Sequence, residues 1–490
     1  MNDDTLCWMS ATELARRYRS RDISPVEVVD ATLERLERVN STVNAFVTVT
    51  AATAREQAIQ AERDFASSDH TALGALHGIP ITIKDLTDTA GVRTTYGCQG
   101  LADHVPEHDA ASYARIKAAG AILIGKTTTP DFGMLGVTRS SLTGTTNNPW
   151  DPTRTAGGSS GGAAAALASG IAPLAWGSDG GGSIRVPASV CGVVGLKVSP
   201  GRIPRAGDGG IFDTVGTPGP MARSTEDVAL LYSVTQGFHP RDPLSLPRVS
   251  EGEIMSAVHG PSLRGLRVAY SPMLGASWVS PEVRAVVDRA ARLFATDLGA
   301  DVEEVTVELP DPIEYFKNIW GIAMVDFYDE MKSAQRWDPD QLDPQILSYV
   351  AAGRAVTAQM YHRALHHTRA DIVRGFTTIF DRFDILLSPT TPVTAFRHED
   401  ESTVFSVPDN GNWNDQDLQF HALTESPSHA ALPAISVPCG FSEGLPVGLQ
   451  IITPWQNDNL ALRAAAAYEE ATSWRKSRPP LDGAVPTPLS

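Results

Sequence analysis

Residues 155 to 170 read TAGGSSGGAAAALASG, four glycines and two serines running into five alanines and a leucine. A glycine-rich turn takes backbone conformations closed to other residues, and neighbours approach its backbone without meeting a Cβ. The alanine run is a strong helix former with no polar face, which predicts a helix buried on all sides. A linker, a phosphate cradle and the loop of a serine hydrolase are all open to such a stretch. The flanking sequence decides among them.

The chain is 490 residues long, with 42% hydrophobic and 20% charged residues, so material for a large core is present. No run of Ser, Gly or Pro is long enough to separate domains, and no block repeats. A net charge of −17 argues against a nucleic-acid or anionic-membrane partner. The N-terminal MNDDTLCWMS has neither the basic nor the apolar part of a secretory signal. The apolar run from Ala163 to Trp176 is broken by Ser169, Gly170 and Pro173 and is too short to span a bilayer. Cys7, Cys98, Cys191 and Cys439 are far apart with no C-x-x-C pair, and are expected as reduced thiols in a cytoplasmic protein.

The first sixty or so residues read as helical. Ser10 to Glu13 and Ser24 to Glu27 fit capping boxes, the second with Pro25 at the first helical position. From His77 the texture becomes α/β. HGIPITIKD reads as a strand, ASYARIKAAG as a helix closed by Gly120, and AILIGKT as the next strand. LRVAY, a helix between Ser280 and Gly299, and VEEVTVEL form a β-α-β unit. FDILLSPTTP and PAISVPCG read as buried strands, and Asn459 to Tyr468 as a helix. Strands alternating with helices predict an α/β fold, a sheet covered on both faces. Residues 397–415 are polar and turn-rich, as in a pocket-rim loop or lid, and the tail from 479 to 490 is expected to be disordered.

Three patterns invite other readings. Gly120 to Thr127 spells a phosphate-binding P-loop, but a helix precedes it and AILI is itself the strand, the reverse of what that loop needs. Gly157-Gly158-Ser159-Ser160-Gly161 spells the nucleophile elbow of α/β-hydrolases, with His429 available as a base. The preceding NNPWDPTRTA, with two prolines, makes a poor central strand for it. His362 and His366 are four apart on an expected helix without a third metal ligand, which reads as a solvated face.

Ser183 stands in GSDGGGSIRVPASVCGVVGLK, twenty-four residues after Ser159. Gly180, Gly181 and Gly182 before it can turn their N–H groups inward together around a small anion. A serine at the end of that nest can attack a carbonyl while the same amides hold the oxyanion, donors worth about 2.7–4 kcal/mol each in barrier height. Taken alone, the run reads more readily as a glycine-rich turn without chemistry.

LHGIPITIKD, GKTTTPDFGM, NNPWDPTRTAGGSSGG, SDGGGSIRVPASVCGVVGLK and LPAISVPCGFSEGLPVGLQII, in this order and spacing, resemble the amidase signature family of Ser–Ser–Lys amide hydrolases, over about residues 70–235 and 380–475. The resemblance implies one domain over 1–478 with a central mixed, twisted sheet covered by helices on both faces. Its parts would be N-terminal helices (1–68), a catalytic core (about 70–235), a variable substrate-binding part (about 240–395) and a C-terminal return to the core (380–475). It implies Ser183 as nucleophile, Ser159 as the bridging serine after a cis bond to Gly158, and Lys84 as general base. The amides of Gly180, Gly181, Gly182 and Ser183 would hold the oxyanion. Asp179 and Arg185 would brace the nest, and Cys191 would pack in the core. A lysine accepts a proton only when neutral, so it must be desolvated and kept from a carboxylate, which the end of a buried strand provides. No metal, cofactor, nucleic acid or membrane is implied; the partner is a small amide substrate, and a homodimer is the assembly expected by resemblance.

Thr128, Val198-Ser199 and Gly181 depart from the commoner family letters. Gly181 and the segment RAGDGGIFDTVGTPGP differ from the subunit that supplies ammonia to glutamyl-tRNA amidation. These departures favour a stand-alone amidase acting on aryl or alkyl amides, with esters, carbamates and cyclic oligoamides as further substrates, over that glutamine-hydrolysing subunit. Gly133 and Met134 match acyl-site positions of relatives. Phe316, Trp320 and Phe327, between Tyr315 and Tyr328, fit either a pocket wall or core.

Overall fold

Consecutive residues of the central strands belong to two different cores. Leu123, Leu174 and Trp176 pack in one, while Ile122, Ile124 and Ala175 pack in the other. Side chains alternate across a strand, so the two cores lie on opposite faces of one sheet. The computed structural model describes residues 3–67, 72–207, 210, 212–334, 338–401 and 419–481.

The sheet has eleven strands. In chain order they are β1 (Phe46–Val49), β2 (Pro80–Lys84), β3 (Ile122–Thr127), β4 (Leu174–Asp179), β5 (Val194–Lys197), β6 (Thr217–Ala222), β7 (Arg267–Tyr270), β8 (Asp301–Glu304), β9 (Ile385–Pro389), β10 (Ala434–Ser442) and β11 (Leu445–Ile452). Across the sheet they run β1-β3-β2-β4-β6-β5-β10-β11-β9-β7-β8. β2 is parallel to β3 and to β4, and β7 is parallel to β8 and β9. The strands between are antiparallel. The sheet is therefore mixed, as expected.

The N-terminal region departs from the all-helical expectation. Helices span Ala11–Ser20, Pro25–Val43 and Ala51–Ala66, but Phe-Val-Thr-Val at 46–49 forms β1 and pairs antiparallel with β3 at the sheet edge. The physical reason is local: a β-branched run favours strand over helix. Ser24 and Glu27 make a full capping box, with Pro25 opening the helix; Ser10 accepts the Glu13 N–H. Gly120, at φ 86°, follows the Ala111–Ala118 helix where a left-handed residue is needed.

The stretch before the glycine-serine loop forms a two-stranded hairpin, Asn147–Asn148 with Asp151–Thr155, outside the main sheet. Gly161–Ala168 is a helix with every residue buried. Cys7, Cys98 and Cys191 are buried and Cys439 half-buried, none of them in a disulfide; the Cys191 thiol reaches the Ala156 carbonyl at 3.4 Å. His362 and His366 are exposed, and no group of three or more metal-ligating side chains occurs among the described residues. No helix among them is long and apolar enough to cross a membrane. Of the 397–415 segment, 402–415 lie outside the described residues, as do 482–490 of the tail.

Candidate active site

β2 and β4 are parallel neighbours, with Ile83 opposite Trp176, so they end at the same sheet edge. Open α/β sheets bind ligands at such carboxyl ends. β2 ends on Lys84, which is 0% exposed. β4 ends on Ser178 and Asp179, and the chain passes directly into Gly180-Gly181-Gly182-Ser183 and a short helix, Arg185–Cys191.

Lys84 Nζ lies 2.7 Å from Ser159 Oγ and 3.1 Å from Ser178 Oγ. Its partners are hydroxyls, not carboxylates. Burial pulls its ammonium down to about 7, against the attraction of Asp179. Ser159 follows a cis peptide bond from Gly158. The loop around it is fixed at both ends. Thr138 Oγ1 donates to the Gly157 carbonyl (2.8 Å) and accepts the Gly161 N–H (3.1 Å); the Ser160 N–H donates to the Ser183 carbonyl (3.0 Å). A Cβ at Gly158 would stand 2.6 Å from the Val137 backbone, so glycine is required there.

Asp179 is locked under the nest. Arg185 Nε and Nη2 donate to its two oxygens at 2.9 and 2.8 Å, and the Ile184 and Arg185 N–H groups reach Oδ2 at 3.2 and 3.3 Å. Burial raises the Asp179 carboxyl, but the Arg185 guanidinium outweighs it and holds the group below the usual range. Arg185 is anchored in turn by Gln450 (2.6 Å) and Ser428 (2.7 Å). No acceptor among the described residues takes the N–H of Gly180, Gly181, Gly182 or Ser183.

Ser159, Ser178, Ser183 and the three glycines line one cavity of about 310 Å³. Ser159 and Ser183 are not hydrogen-bonded to each other, but both residues line the same space. Gly133 and Met134 line it too, as do Phe316 and Trp320 from the Pro312–Ala334 helix. A Cβ at Gly180 would meet the Trp320 ring at 3.0 Å, so the indole lies against the nest. Phe132 completes the wall and packs on Phe327 with ring centroids 3.9 Å apart. Tyr315 and Tyr328 are buried instead. The site residues expected from the sequence thus fall at or under this cavity, and most of the surface it presents is apolar.

The elbow reading of Ser159 finds no base. Its hydroxyl pairs with Lys84, while His429 is buried against Glu425 and Tyr315. Sequence reasoning missed Ser178, although a hydroxyl one residue before Asp179 stands in the same motif as Ser183. It also missed the helix Ala422–His429, whose Thr424 hydroxyl donates to the Gly181 carbonyl at 2.6 Å. HALTESPSH carries no local signal of that role.

The family model described as Amidase matches residues 27–462. Over 98% of both chains, the protein is 37% identical to an acylamidase of Rhodococcus erythropolis. It is 36% identical to one subunit of the glutamyl-tRNA(Gln) amidotransferase of Moorella thermoacetica, over 97% of this chain and 99% of the relative. The crystal structure of a bacterial aryl acylamidase superposes with a TM-score of 0.87 at 30% identity, covering 95% of this chain and 96% of that one.

Proposed function

Because this chain belongs to the amidase signature family and so hydrolyses amide C–N bonds, we propose that it is a stand-alone acylamidase for small aryl or alkyl amides, working through Ser183, Ser159 and Lys84. The observation that carries this reading is the lysine. Lys84 is buried, poised near neutrality and bonded to hydroxyls alone, at the edge of the cavity that Ser159 and Ser183 share. A lysine in that state is a base at neutral pH.

In the proposed reaction Ser183 Oγ attacks the amide carbonyl as Ser159 accepts its proton and passes its own to Lys84. The amides of Gly180 to Ser183, which no protein acceptor among the described residues engages, hold the oxyanion. The proton returns through Ser159 to the leaving nitrogen, and the C–N bond breaks. Water, activated by the same relay, then releases the acid from Ser183. Ser159 and Ser183 close on each other when the substrate carbonyl draws Ser183 toward the nest; hydrogen bonds of this kind tighten in the reacting complex. Asp179 and Arg185 hold the nest and do not react. Trp320, Phe316, Phe132 and Met134 offer an apolar slot, which supports anilides and alkyl amides, with aryl esters and carbamates as side substrates.

The test is hydrolysis of glutamine, an aliphatic amide, an acyl anilide and an aryl carbamate beside Ser183→Ala. Anilide turnover lost in the variant supports the reading, and turnover surviving in it means another nucleophile. Reaction with glutamine alone supports the second reading, a component of an amidotransferase, which the 36% identity to the Moorella protein keeps open. No protein partner is needed in the first reading. A homodimer is the proposed assembly, and sedimentation of the purified chain reads it.

A further inference from the structure

Three carboxylates line the cavity: Asp179, Asp213 and Glu425. Two are matched by arginine. Asp179 is held by Arg185, and Arg205 Nη1 donates to Asp213 Oδ2 at 2.6 Å while also reaching the Gly216 carbonyl. Glu425 has no arginine or lysine among the described residues. Its oxygens face two imidazoles of its own chain segment, His421 Nδ1 at 2.9 Å from Oε1 and His429 Nε2 at 3.2 Å from Oε2. The second contact has ion-pair distance but not hydrogen-bond alignment, and Oε2 is left without a hydrogen-bond partner.

Glu425 is 2% exposed and lies against the nest itself. A methyl on Gly181 would overlap Glu425 Oε1. The carboxylate thus occupies the space a side chain at 181 would fill, beside Ser183. The Arg205 guanidinium is the one arginine or lysine side chain of the described wall, and it is committed to Asp213. With Asp179 and Asp213 each matched by an arginine, Glu425 is the acid of the described wall that no arginine or lysine offsets, and it presents a negative potential to whatever enters.

We propose that Glu425 sets the charge selectivity of this site: amides bearing an ammonium group are preferred over neutral isosteres, and amides bearing a carboxylate are refused. The proposal rests on the amide-hydrolase reading above. Burial raises the Glu425 carboxyl, but the hydrogen bond from His421 and the nearby His429 imidazole outweigh it and hold the group below its usual range. At an effective dielectric near 20, a unit charge about 6 Å away shifts binding by about a hundredfold. Imidazole pairing dilutes this, so about tenfold per charge step is expected.

The experiment uses the full chain and para-nitroanilides ending in ammonium, methyl or carboxylate, one set carrying the group on the acyl chain and one on the anilide ring. Wild type should rank ammonium above methyl above carboxylate in kcat/KM in at least one set. Glu425→Gln should compress the ammonium-to-carboxylate ratio by about tenfold or more. A merely structural role scales all three substrates together and leaves the ratio intact, which overturns the proposal, as does a wild type without charge order. Should Glu425→Gln fail to fold, calorimetry of wild type with an unreactive amine, its neutral isostere and its carboxylate reads the same order; equal affinities overturn it. If the methyl substrate is not turned over, the acylamidase reading fails, and calorimetry of wild type beside Glu425→Gln still decides the role of Glu425.

Discussion

Lys84 is a base because of where its strand stops. β2 buries it completely at the carboxyl end of the sheet, and hydration is what normally keeps an ammonium charged. With the group pulled down to about 7, the neutral form grows as pH rises, so kcat/KM on an uncharged anilide should climb and level off with a midpoint near 7. Two other buried groups titrate in that range. Lys197 is brought to about 7 by burial and then by Arg185, and Asp131 is pushed up to about 7 by burial and then by Asp343. Lys197→Met and Asp131→Asn should therefore leave the midpoint in place, whereas Ser178→Ala should lower it, because the ammonium loses an acceptor. A midpoint that follows Lys197 or Asp131 would take the base role away from Lys84. At this scale Lys84, Ser159 and Ser183 were legible because each sits inside a run of letters with its own backbone demand. Ser178 was not singled out, since a serine on a strand has no such signature and only the parallel pairing of β2 with β4 brings it to Lys84.

The nest is held by elements distant in sequence. Arg185 braces it from within its own helix, but Thr424 and Glu425 reach it across 243 residues or more, from a helix that also carries Ser428. Two substitutions separate these supports. Asp179→Asn leaves the Arg185 guanidinium buried without its charge partner and should cost about 3–5 kcal/mol in urea unfolding. Gly181→Ala drives a methyl into Glu425 Oε1 and should cut kcat/KM by about a hundredfold with little change in stability, because it displaces N–H donors of the size seen in oxyanion sites. Adding Glu425→Ala should recover part of that loss, a coupling that two independent sites would not show. If the double variant is as poor as the two losses combined, Glu425 and Gly181 do not share the space. The same coupling gives a physical reason for Gly181 in this chain. The Asp179–Arg185 brace was expected from the sequence, but the Thr424 and Glu425 supports were not readable there: HALTESPSH lacks helix periodicity, and even Pro427 argues against a helix.

The whole molecule brings its chemistry to one edge of an eleven-stranded sheet whose pairings the sequence only half disclosed. The β-α-β segments around β2–β3 and β7–β8 announce themselves through alternating strand and helix textures. The middle of the sheet does not, because β5 pairs with β10 across most of the C-terminal half and nothing local records such a partner. β1, four residues between two helices, was hidden by their stronger periodicity. Charge acts at this scale as well. A chain with net charge −17 attracts cations over a distance set by the Debye length, which shrinks from about 30 Å to about 3 Å between about 0.01 M and 1 M salt. An ammonium-bearing anilide should then lose about threefold in kcat/KM across that range through slower capture, while its neutral isostere stays level. Glu425 is buried, and salt screens a buried charge far less than a surface one, so its share of the preference should persist at high salt. Stopped-flow titration over ionic strength separates the two: a charge preference that survives at about 1 M belongs to the cavity wall, and one that vanishes there belongs to the acidic surface and leaves Glu425 no part in selection.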